Sequence, residues 1–218
     1  MKANLLSAAV AAILAVTPVM AKATALTLTF EGPPEGVPIG SFFSADGITF
    51  SANAFASIEN NSGGTGNFQG EPSPTTAVFF AGGGPDLMDV AGGFTTAFSL
   101  FYTGIVKAGT VDIWSGLDAT GTLLATLALP ATPSDIGTGA CSVADFCPFV
   151  PLGTVFPGTA HSVDFGGAAD QFFFDDITLG ANTLVRAPEP ATLALFGAWL
   201  AGAAWARRRK RAATGASP

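Results

Sequence analysis

The chain has 218 residues, of which 49% are hydrophobic and only 11% are charged. That length is enough for one domain with a real core. Residues 26–187 hold fifteen acidic side chains but only Lys107 and Arg186 as basic ones, a formal charge of −13. So acidic a surface argues against binding to nucleic acid or to anionic membrane surfaces, and it is compatible with cation binding.

Residues 1–25 have the pattern of a secretory signal peptide. Lys2 precedes an apolar run over residues 5–16, and small residues then alternate up to Ala25. A positive start, a short apolar core and a small-residue cleavage site are typical of such leaders. Three cleavage points fit the pattern: after Ala21, Ala23 or Ala25. We therefore leave this segment out of the fold prediction.

Residues 26–187 form the body of the protein, which we predict to be all-β. Gly and Pro interrupt it at short intervals, and Thr, Val, Ile and Phe fill the runs between. We predict strands near Leu26–Phe30, Ile48–Ala54, Ala77–Ala81, Phe94–Tyr102, Thr110–Ser115, Thr122–Leu129, Phe149–Val155, His161–Phe165 and Gln171–Leu179. Many short strands between turns favour a two-sheet β-sandwich or jelly roll. The polar, glycine-rich stretch Asn60–Pro74 is predicted to be a loop.

Cys141 and Cys147 are the two cysteines of the chain. In an oxidising compartment, two cysteines this close in sequence favour a disulfide. A metal-binding pair is the alternative, which no neighbouring Cys or His supports.

The last predicted strand contains adjacent acids in Phe172–Leu179. Strand alternation places Phe173, Asp175, Ile177 and Leu179 on one apolar face, so Asp175 should point inward. A buried carboxylate must be paired or must bind a metal, and Ca²⁺ suits oxygen ligands. Two alternatives remain open: Asp175 lies at a β-bulge, or Asp175 and Asp176 end the strand in solvent.

The two ends of the body resemble the ends of galactose-binding-like jelly rolls. The matching stretches are Phe30-Glu31-Gly32 early and Phe174-Asp175-Asp176-Ile177 late. That group includes several carbohydrate-binding modules, in which a structural calcium joins the first strand to the last. The resemblance implies that Glu31 and Asp175 are calcium ligands. It makes Asp176 a further candidate ligand.

Trp114 suggests a glycan-binding surface. It is the one tryptophan of the body, and alternation sends Asp112 and Trp114 outward from the strand. An exposed aromatic ring beside a carboxylate can hold a sugar ring by stacking and by hydrogen bonds. A tryptophan covered by a loop, or buried against the other sheet, is the alternative.

Nothing in the sequence marks a catalytic centre. The single histidine, His161, starts a predicted strand, and such a residue is more often packed than catalytic. We find no Gly-x-Ser-x-Gly, no His-Glu-x-x-His and no phosphate loop. We therefore predict a protein that is not an enzyme. The fifteen acids leave a secreted polysaccharide hydrolase as a lesser alternative.

The C-terminal end carries a three-part pattern over residues 188–211. Pro188, Glu189 and Pro190 are followed by an uncharged segment, 191–206, that we predict to be a transmembrane helix. Sixteen residues form a helix of about 24 Å, slightly short for a bilayer core of about 30 Å. A basic cluster then precedes the short tail 212–218: Arg207, Arg208, Arg209, Lys210 and Arg211. The positive-inside rule keeps this cluster cytoplasmic and places the body across the membrane.

This pattern resembles the PEP-CTERM sorting signal of Gram-negative bacteria. The resemblance implies that an exosortase, a membrane protease-transpeptidase, recognises and removes the tail near the motif. It also implies an exported protein, anchored in the inner membrane before processing and then located at the cell surface, in a biofilm or in an extracellular polysaccharide matrix. An ordinary C-terminal membrane anchor is the alternative.

Two functional hypotheses follow, from different classes. The first is a non-enzymatic matrix or surface protein sorted by exosortase. The second is a carbohydrate-binding module with a structural calcium, which engages exopolysaccharide. In neither case does the sequence indicate a nucleic acid partner.

Overall fold

The computed structural model describes residues 25–104, 106–132, 141 and 146–182. Over these residues the chain is all-β, as predicted, with two short 3-10 helices at Ser44–Asp46 and Asn60–Ser62. The strands are β1 (Leu26–Leu28), β2 (Ile48–Phe50), β3 (Ala54–Ile58), β4 (Thr76–Phe80), β5 (Leu87–Thr103), β6 (Gly109–Trp114), β7 (Leu123–Leu129), β8 (Val150–Asp164) and β9 (Phe173–Leu179).

Hydrogen bonds join the nine strands into one continuous antiparallel sheet. Its order is β3-β4-β9-β5-β8-β6-β7, while β1 pairs with β9 and β2 pairs with β5. The long strands β5 and β8 take part in two sets of pairings. The first part of β5 pairs with β2 and with the end of β8, and its last part pairs with β9 and with the start of β8. The sheet therefore has two halves that share these two strands.

The two halves pack on each other like the layers of a β-sandwich. Phe50 of β2 and Phe80 of β4 belong to different halves, and their ring centroids are 6.5 Å apart. The hydroxyl of Tyr102 on β5 donates to the carbonyl of Pro130, at the end of β7, over 3.1 Å. Every strand contributes buried apolar side chains to the core between the halves. Burial of this surface is the main favourable term in folding.

A second, smaller apolar cluster lies on the other face of β9 and β5. Phe68, Ala77 and Phe149 are buried there, and partly buried rings pack against them: Phe101, Phe146 and Phe173. Phe68 comes from the stretch predicted as a loop. That stretch does connect β3 to β4, but it also covers the sheet, because Phe68 is only 1% exposed.

Several strand predictions are wrong at their boundaries, and β5 begins at Leu87 instead of Phe94. The predicted strand Ile48–Ala54 ends at Phe50, and β3, which follows it, was not predicted. The two strands predicted around Pro157 and Gly158 are one strand, β8. The register of β8 with β5 shifts there, so residues 156–158 form a bulge opposite Thr96. Gly158 takes a φ of +83°, which glycine adopts without strain.

A bulge in β9 also corrects the predicted face of Asp175. Asp176 has a φ of +46°, and the register with β5 shifts between Ser99 and Phe101. The alternation therefore changes phase at Asp176. Asp175 lies opposite Phe101, on the side of the smaller cluster, whereas Ile177 and Leu179 face the main core. The β-bulge left open from the sequence is present.

The predicted leader up to residue 24 and the predicted sorting signal, 188–211, lie outside the described residues. The same holds for the predicted membrane helix, 191–206, and for the tail. Within the described part of the chain, no helix is long and apolar enough to span a bilayer.

Candidate binding groove

An open groove of about 680 Å³ lies where several strand ends meet. The end of β2 and the turn after it supply Ser51 and Asn53, and β3 supplies Phe55. The start of β5 supplies Asp89, and the loop between β6 and β7 supplies Asp118. We call this site the end groove. Its size and its mixture of apolar walls with a few polar groups are typical of small-ligand sites.

A hydrogen-bond network fixes the polar side of the end groove. The hydroxyl of Ser51 donates to Asn53 Oδ1 at 2.8 Å and accepts from the Leu87 amide at 3.0 Å. Asn53 Nδ2 donates to the carbonyl of Ala81 at 2.8 Å and to Asp86 Oδ1. Burial raises the pKa of Asp86 above its ordinary range, although the bond from Asn53 opposes this. The Asn53 amide is thus held in one orientation before any ligand arrives.

The triple-glycine turn after β4 forms another side of the end groove. The amide of Gly82 donates to Asp170 Oδ2 at 2.9 Å. A Cβ on Gly82 would lie 2.5 Å from that oxygen, closer than real Cβ contacts allow. A side chain at this position would therefore displace the Asp170 carboxylate from its bond with the Gly82 amide.

Two carboxylates stand together at the mouth of the end groove. The amide of Asp118 donates to Asp89 Oδ1 at 2.9 Å. Burial, and then the nearby negative charge of Asp118, raise the pKa of Asp89, while the bond from that amide opposes the rise. Within the described residues, no Lys, Arg or His lines the end groove. The groove therefore offers acceptors without a positive charge, which disfavours anionic ligands.

The loop that carries Asp118 holds an uncommon backbone. Asp118 and Ala119 have φ values of +54° and +52°, and Thr120 N bonds to the Leu117 carbonyl across them. This is the pattern of a type I′ turn, which usually contains Asn-Gly. The amide of Ala119 donates to Ser162 Oγ at 3.0 Å, which helps to hold the turn in place.

Phe55 provides the aromatic part of the end groove. Its ring stacks on Phe79 of β4, with centroids 5.8 Å apart and an interplanar angle of 28°. Both rings are partly exposed, and neither belongs to an apolar cluster. An exposed ring face next to fixed amide and carboxylate groups can stack on the apolar face of a sugar while the polar groups bond to its hydroxyls.

Trp114 and Asp112 face away from the main core, as predicted, but neither lines the end groove. Val111 and Ile113 are fully buried, whereas Asp112 and Trp114 are partly exposed. Asp112 accepts a bond from the Thr126 hydroxyl at 2.5 Å. The indole N–H of Trp114 is buried and has no acceptor among the described residues. A glycan-binding role for this pair stays a prediction, although the loop after Trp114 does reach the groove through Asp118.

Glu31 and Asp175 both contact the segment that leads into β4. Asp175 is fully buried and accepts from the amide of Ser73 at 3.0 Å and from its hydroxyl at 2.7 Å. Glu31 is exposed and accepts from the amides of Thr75 at 3.0 Å and Thr76 at 2.9 Å. These donors satisfy the carboxylates without a cation, so the geometry does not require one.

Asp175 and Asp176 are both buried. Burial raises the pKa of Asp175 to about 8, although the bonds from Ser73 oppose this rise. Asp176 is also buried, at 6% exposure, so the alternative that these acids end the strand in solvent is wrong. Within the described residues, no group of three or more His, Cys, Asp or Glu side chains could hold a metal ion. Calcium binding by Glu31, Asp175 and Asp176 stays a prediction.

The disulfide prediction is confirmed, because Cys141 and Cys147 are bonded through their sulfurs. The segment next to it supplies Phe146 and Phe149 to the smaller cluster. His161 lies inside β8, partly exposed, and does not line the end groove.

For most residues of the end groove, a place in a binding site could not be predicted from the sequence. The triple glycine was recognised as a turn, but Ser51, Asn53, Phe55, Asp89 and Asp118 carried no signal of their own. They come from segments far apart in the chain, and only the pairing of the strands brings them together.

Comparisons with known proteins reveal little. No protein-family model matches the chain, and no curated protein matches it in sequence. Among solved structures, a carbohydrate-binding module (CBM6cm-2) from Cellvibrio mixtus lichenase 5A, in complex with cellotriose, is similar with a TM-score of 0.38. The identity is 13%, over 64% of this chain and 94% of that one. A similarity with so low a TM-score and identity supports no conclusion about function.

Proposed function

We propose that the body is a non-catalytic module that binds an uncharged glycan in the end groove. The observation that carries this proposal is the placement of the partly exposed Phe55 ring beside the fixed Asn53 amide and the Asp89–Asp118 pair. Sugars offer an apolar ring face together with hydroxyls that donate and accept, and this groove has partners for both. Its carboxylates and the absence of lining cations in the described part disfavour acidic glycans by charge repulsion.

Binding to an array of neutral and acidic glycans, with the full-length chain in detergent, tests the proposal. We expect Phe55→Ala to weaken binding to a neutral glycan roughly tenfold, which corresponds to about 1.4 kcal/mol. Phe42→Ala is the matched control, because Phe42 is 51% exposed and lies outside the end groove. Binding that survives Phe55→Ala unchanged would contradict the assignment of this site.

The carboxylate pair is also the place to test the hydrolase alternative. Asp89 and Asp118 stand at the mouth of a groove, and glycosidases use two carboxylates. Incubation with the glycan that binds should leave it intact under our proposal. Hydrolysis that is lost in Asp118→Asn would replace binding with catalysis as the function.

Export and sorting belong to the same proposal. The leader pattern of residues 1–25 and the pattern of residues 188–211 support an exported protein that exosortase processes at Pro188-Glu189-Pro190 and delivers to the cell surface or polysaccharide matrix. A glycan-binding body suits that destination, because its ligand would be the exported polysaccharide. The jelly-roll form of the sandwich, as in galactose-binding-like modules, is likewise proposed from the sequence of the two ends.

Calcium at the Glu31–Asp175 end of the body is a separate proposal. Carboxylate oxygens on the first turn after β1 and on β9 are the ligands that would hold it, and it would join the ends of the body. If calcium is bound, excess EDTA lowers the melting temperature and added Ca²⁺ restores it. An unchanged melting temperature would contradict calcium binding. The hydrogen bonds from Ser73, Thr75 and Thr76 would then be what holds these carboxylates in place.

A further inference from the structure

A second cavity, of about 330 Å³, opens on the outer face of β3, β4 and β9. Its apolar side is formed by Phe79, Phe146 and Phe173. Its polar side is formed by Ser57 and by the segment of residues 65–67. We call this the face pocket. Its combination of aromatic rings on one side and polar groups on the other repeats that of the end groove.

A row of aromatic rings connects the two sites. Phe55 lines the end groove and Phe79 lines the face pocket, and these two rings stack on each other as directly paired residues of β3 and β4. The row continues to Phe173 of β9, whose ring centroid is 5.7 Å from that of Phe79. The row of rings therefore runs across the strands, between the two sites, and along β3 the path from one site to the other extends from Asn53 in the end groove to Ser57 in the face pocket. At about 3.3 Å per residue this stretch is roughly 13 Å long.

The polar side of the face pocket is held rigidly. Glu35 Oε1 accepts from the amides of Ile58 and Thr65, each at 3.0 Å, and from the Thr65 hydroxyl at 3.0 Å. The hydrogen bond from the Thr65 amide lowers the pKa of Glu35 most, and the other bonds lower it further. Burial opposes this shift only in part. The carboxylate therefore stays charged and keeps the segment 65–67 in place beside the sheet. A preformed site loses less conformational entropy when a ligand binds.

Charge sets the class of ligand for the face pocket as well. Glu35 is its one charged lining residue, and no Lys, Arg or His lines it among the residues that the structure describes. An anionic chain would meet carboxylates at both ends of its path. An uncharged chain would meet aromatic faces with polar groups along one side.

We infer that the end groove and the face pocket are two subsites for one linear, uncharged glycan, which lies along β3 and β4 over the Phe55–Phe79 rings. This rests on the proposed glycan-binding function and adds to it that the ligand is an extended chain of several sugar units. Affinity then increases with chain length until both subsites are filled.

Calorimetric titration with neutral oligosaccharides of two to six units tests the inference. The probes are the cello-, xylo-, manno- and laminari- series, and the full-length chain is used in detergent. For the series that binds, we expect affinity for the longest member to exceed that for the disaccharide by at least tenfold. Phe79→Ala should remove most of this gain and weaken binding of the disaccharide less than Phe55→Ala does, because Phe79 only supports the Phe55 ring there, whereas Phe55→Ala should weaken the binding of all lengths.

Two further variants keep the result interpretable. Phe79→Leu retains apolar bulk if the alanine variant fails to fold, and it should still reduce the gain with length. Phe42→Ala should change nothing. Equal affinity for all lengths, or a gain with length that survives both changes at Phe79, would overturn the second subsite and leave the end groove standing. Failure of every series to bind would overturn the glycan function itself.

Discussion

Asp175 shows how a buried acid can be held by hydrogen bonds alone. Its oxygens accept from the amide and hydroxyl of Ser73 and from the amide of Asp176. Burial destabilises the ionised form by more than these bonds stabilise it, so the pKa of Asp175 rises to about 8 from an ordinary 3.8. Without bound calcium, the folded protein therefore keeps a proton on Asp175 over a pH range in which the unfolded chain has lost it.

This difference predicts how stability depends on pH. Between about pH 4 and about pH 8 the folded state binds one more proton at Asp175 than the unfolded state, so stability should fall as the pH rises through that window. Asp175→Asn should flatten this slope in melting temperatures measured from pH 4 to pH 8. Glu71, whose pKa burial raises to about 7, adds a slope of the same sign, so Glu71→Gln is the comparison variant. A slope unchanged in Asp175→Asn would contradict the raised pKa.

At the scale of elements, the turn between β6 and β7 allows a prediction about strain. Ala119 has a φ of +52°, where an L-residue with a Cβ is strained by about 1–2 kcal/mol and glycine is not. Ala119→Gly should therefore leave stability unchanged or raise it by up to about 1 kcal/mol, after the larger entropy loss of glycine on folding. Ala128→Gly is the control, because Ala128 lies exposed within β7 and should lose roughly 0.5–1 kcal/mol. Chemical denaturation of both variants measures the difference, and equal losses in the two would contradict the argument.

The strands themselves could be predicted from the sequence, but their irregularities could not. Runs of Val, Ile, Thr and Phe identified most strands, because β-branched and aromatic residues pack well on a pleated sheet. Pro157 and Gly158 were interpreted as a turn, since both residues usually interrupt strands. They form a bulge instead, because β5 continues alongside and holds both flanks of β8. The phase change at Asp176 has the same origin, in a neighbouring strand rather than in the local sequence.

The candidate site could be predicted less well than the fold. The Cys141–Cys147 bond followed from spacing, which is a local property. Alternation predicted that Asp175 is buried but placed it on the wrong face, because the bulge at Asp176 has no local signal. The end groove depends on which strands are neighbours in the sheet. Phe55 gave no sign of exposure, because β3 was not predicted and the predicted strand ended at Ala54. Neither periodicity nor a motif identifies a site that is assembled from four separate segments.

For the whole molecule, processing at both ends predicts the mass of the mature protein. If the leader and the sorting signal are removed, protein recovered from the cell surface should lack residues 1–25, to within the alternative cleavage points, and the basic cluster 207–211. Intact-mass analysis measures both ends in one experiment. Glu189→Ala should retain the C-terminal segment if the Pro-Glu-Pro motif is recognised. A surface protein that still carries residues 207–218 would contradict sorting by exosortase.

The pairing of β1 with β9 has a consequence for protein engineering. Leu26 lies directly opposite Leu179, so the polypeptide enters and leaves the sandwich about one strand spacing apart, near 5 Å. A short flexible linker could therefore join residue 25 to residue 182 and close the backbone into a ring. Reopening that ring in the exposed turn at residues 61–63 would give a circular permutant that keeps all the strand pairings and places its new termini beside β3, where a fluorescent label could be attached.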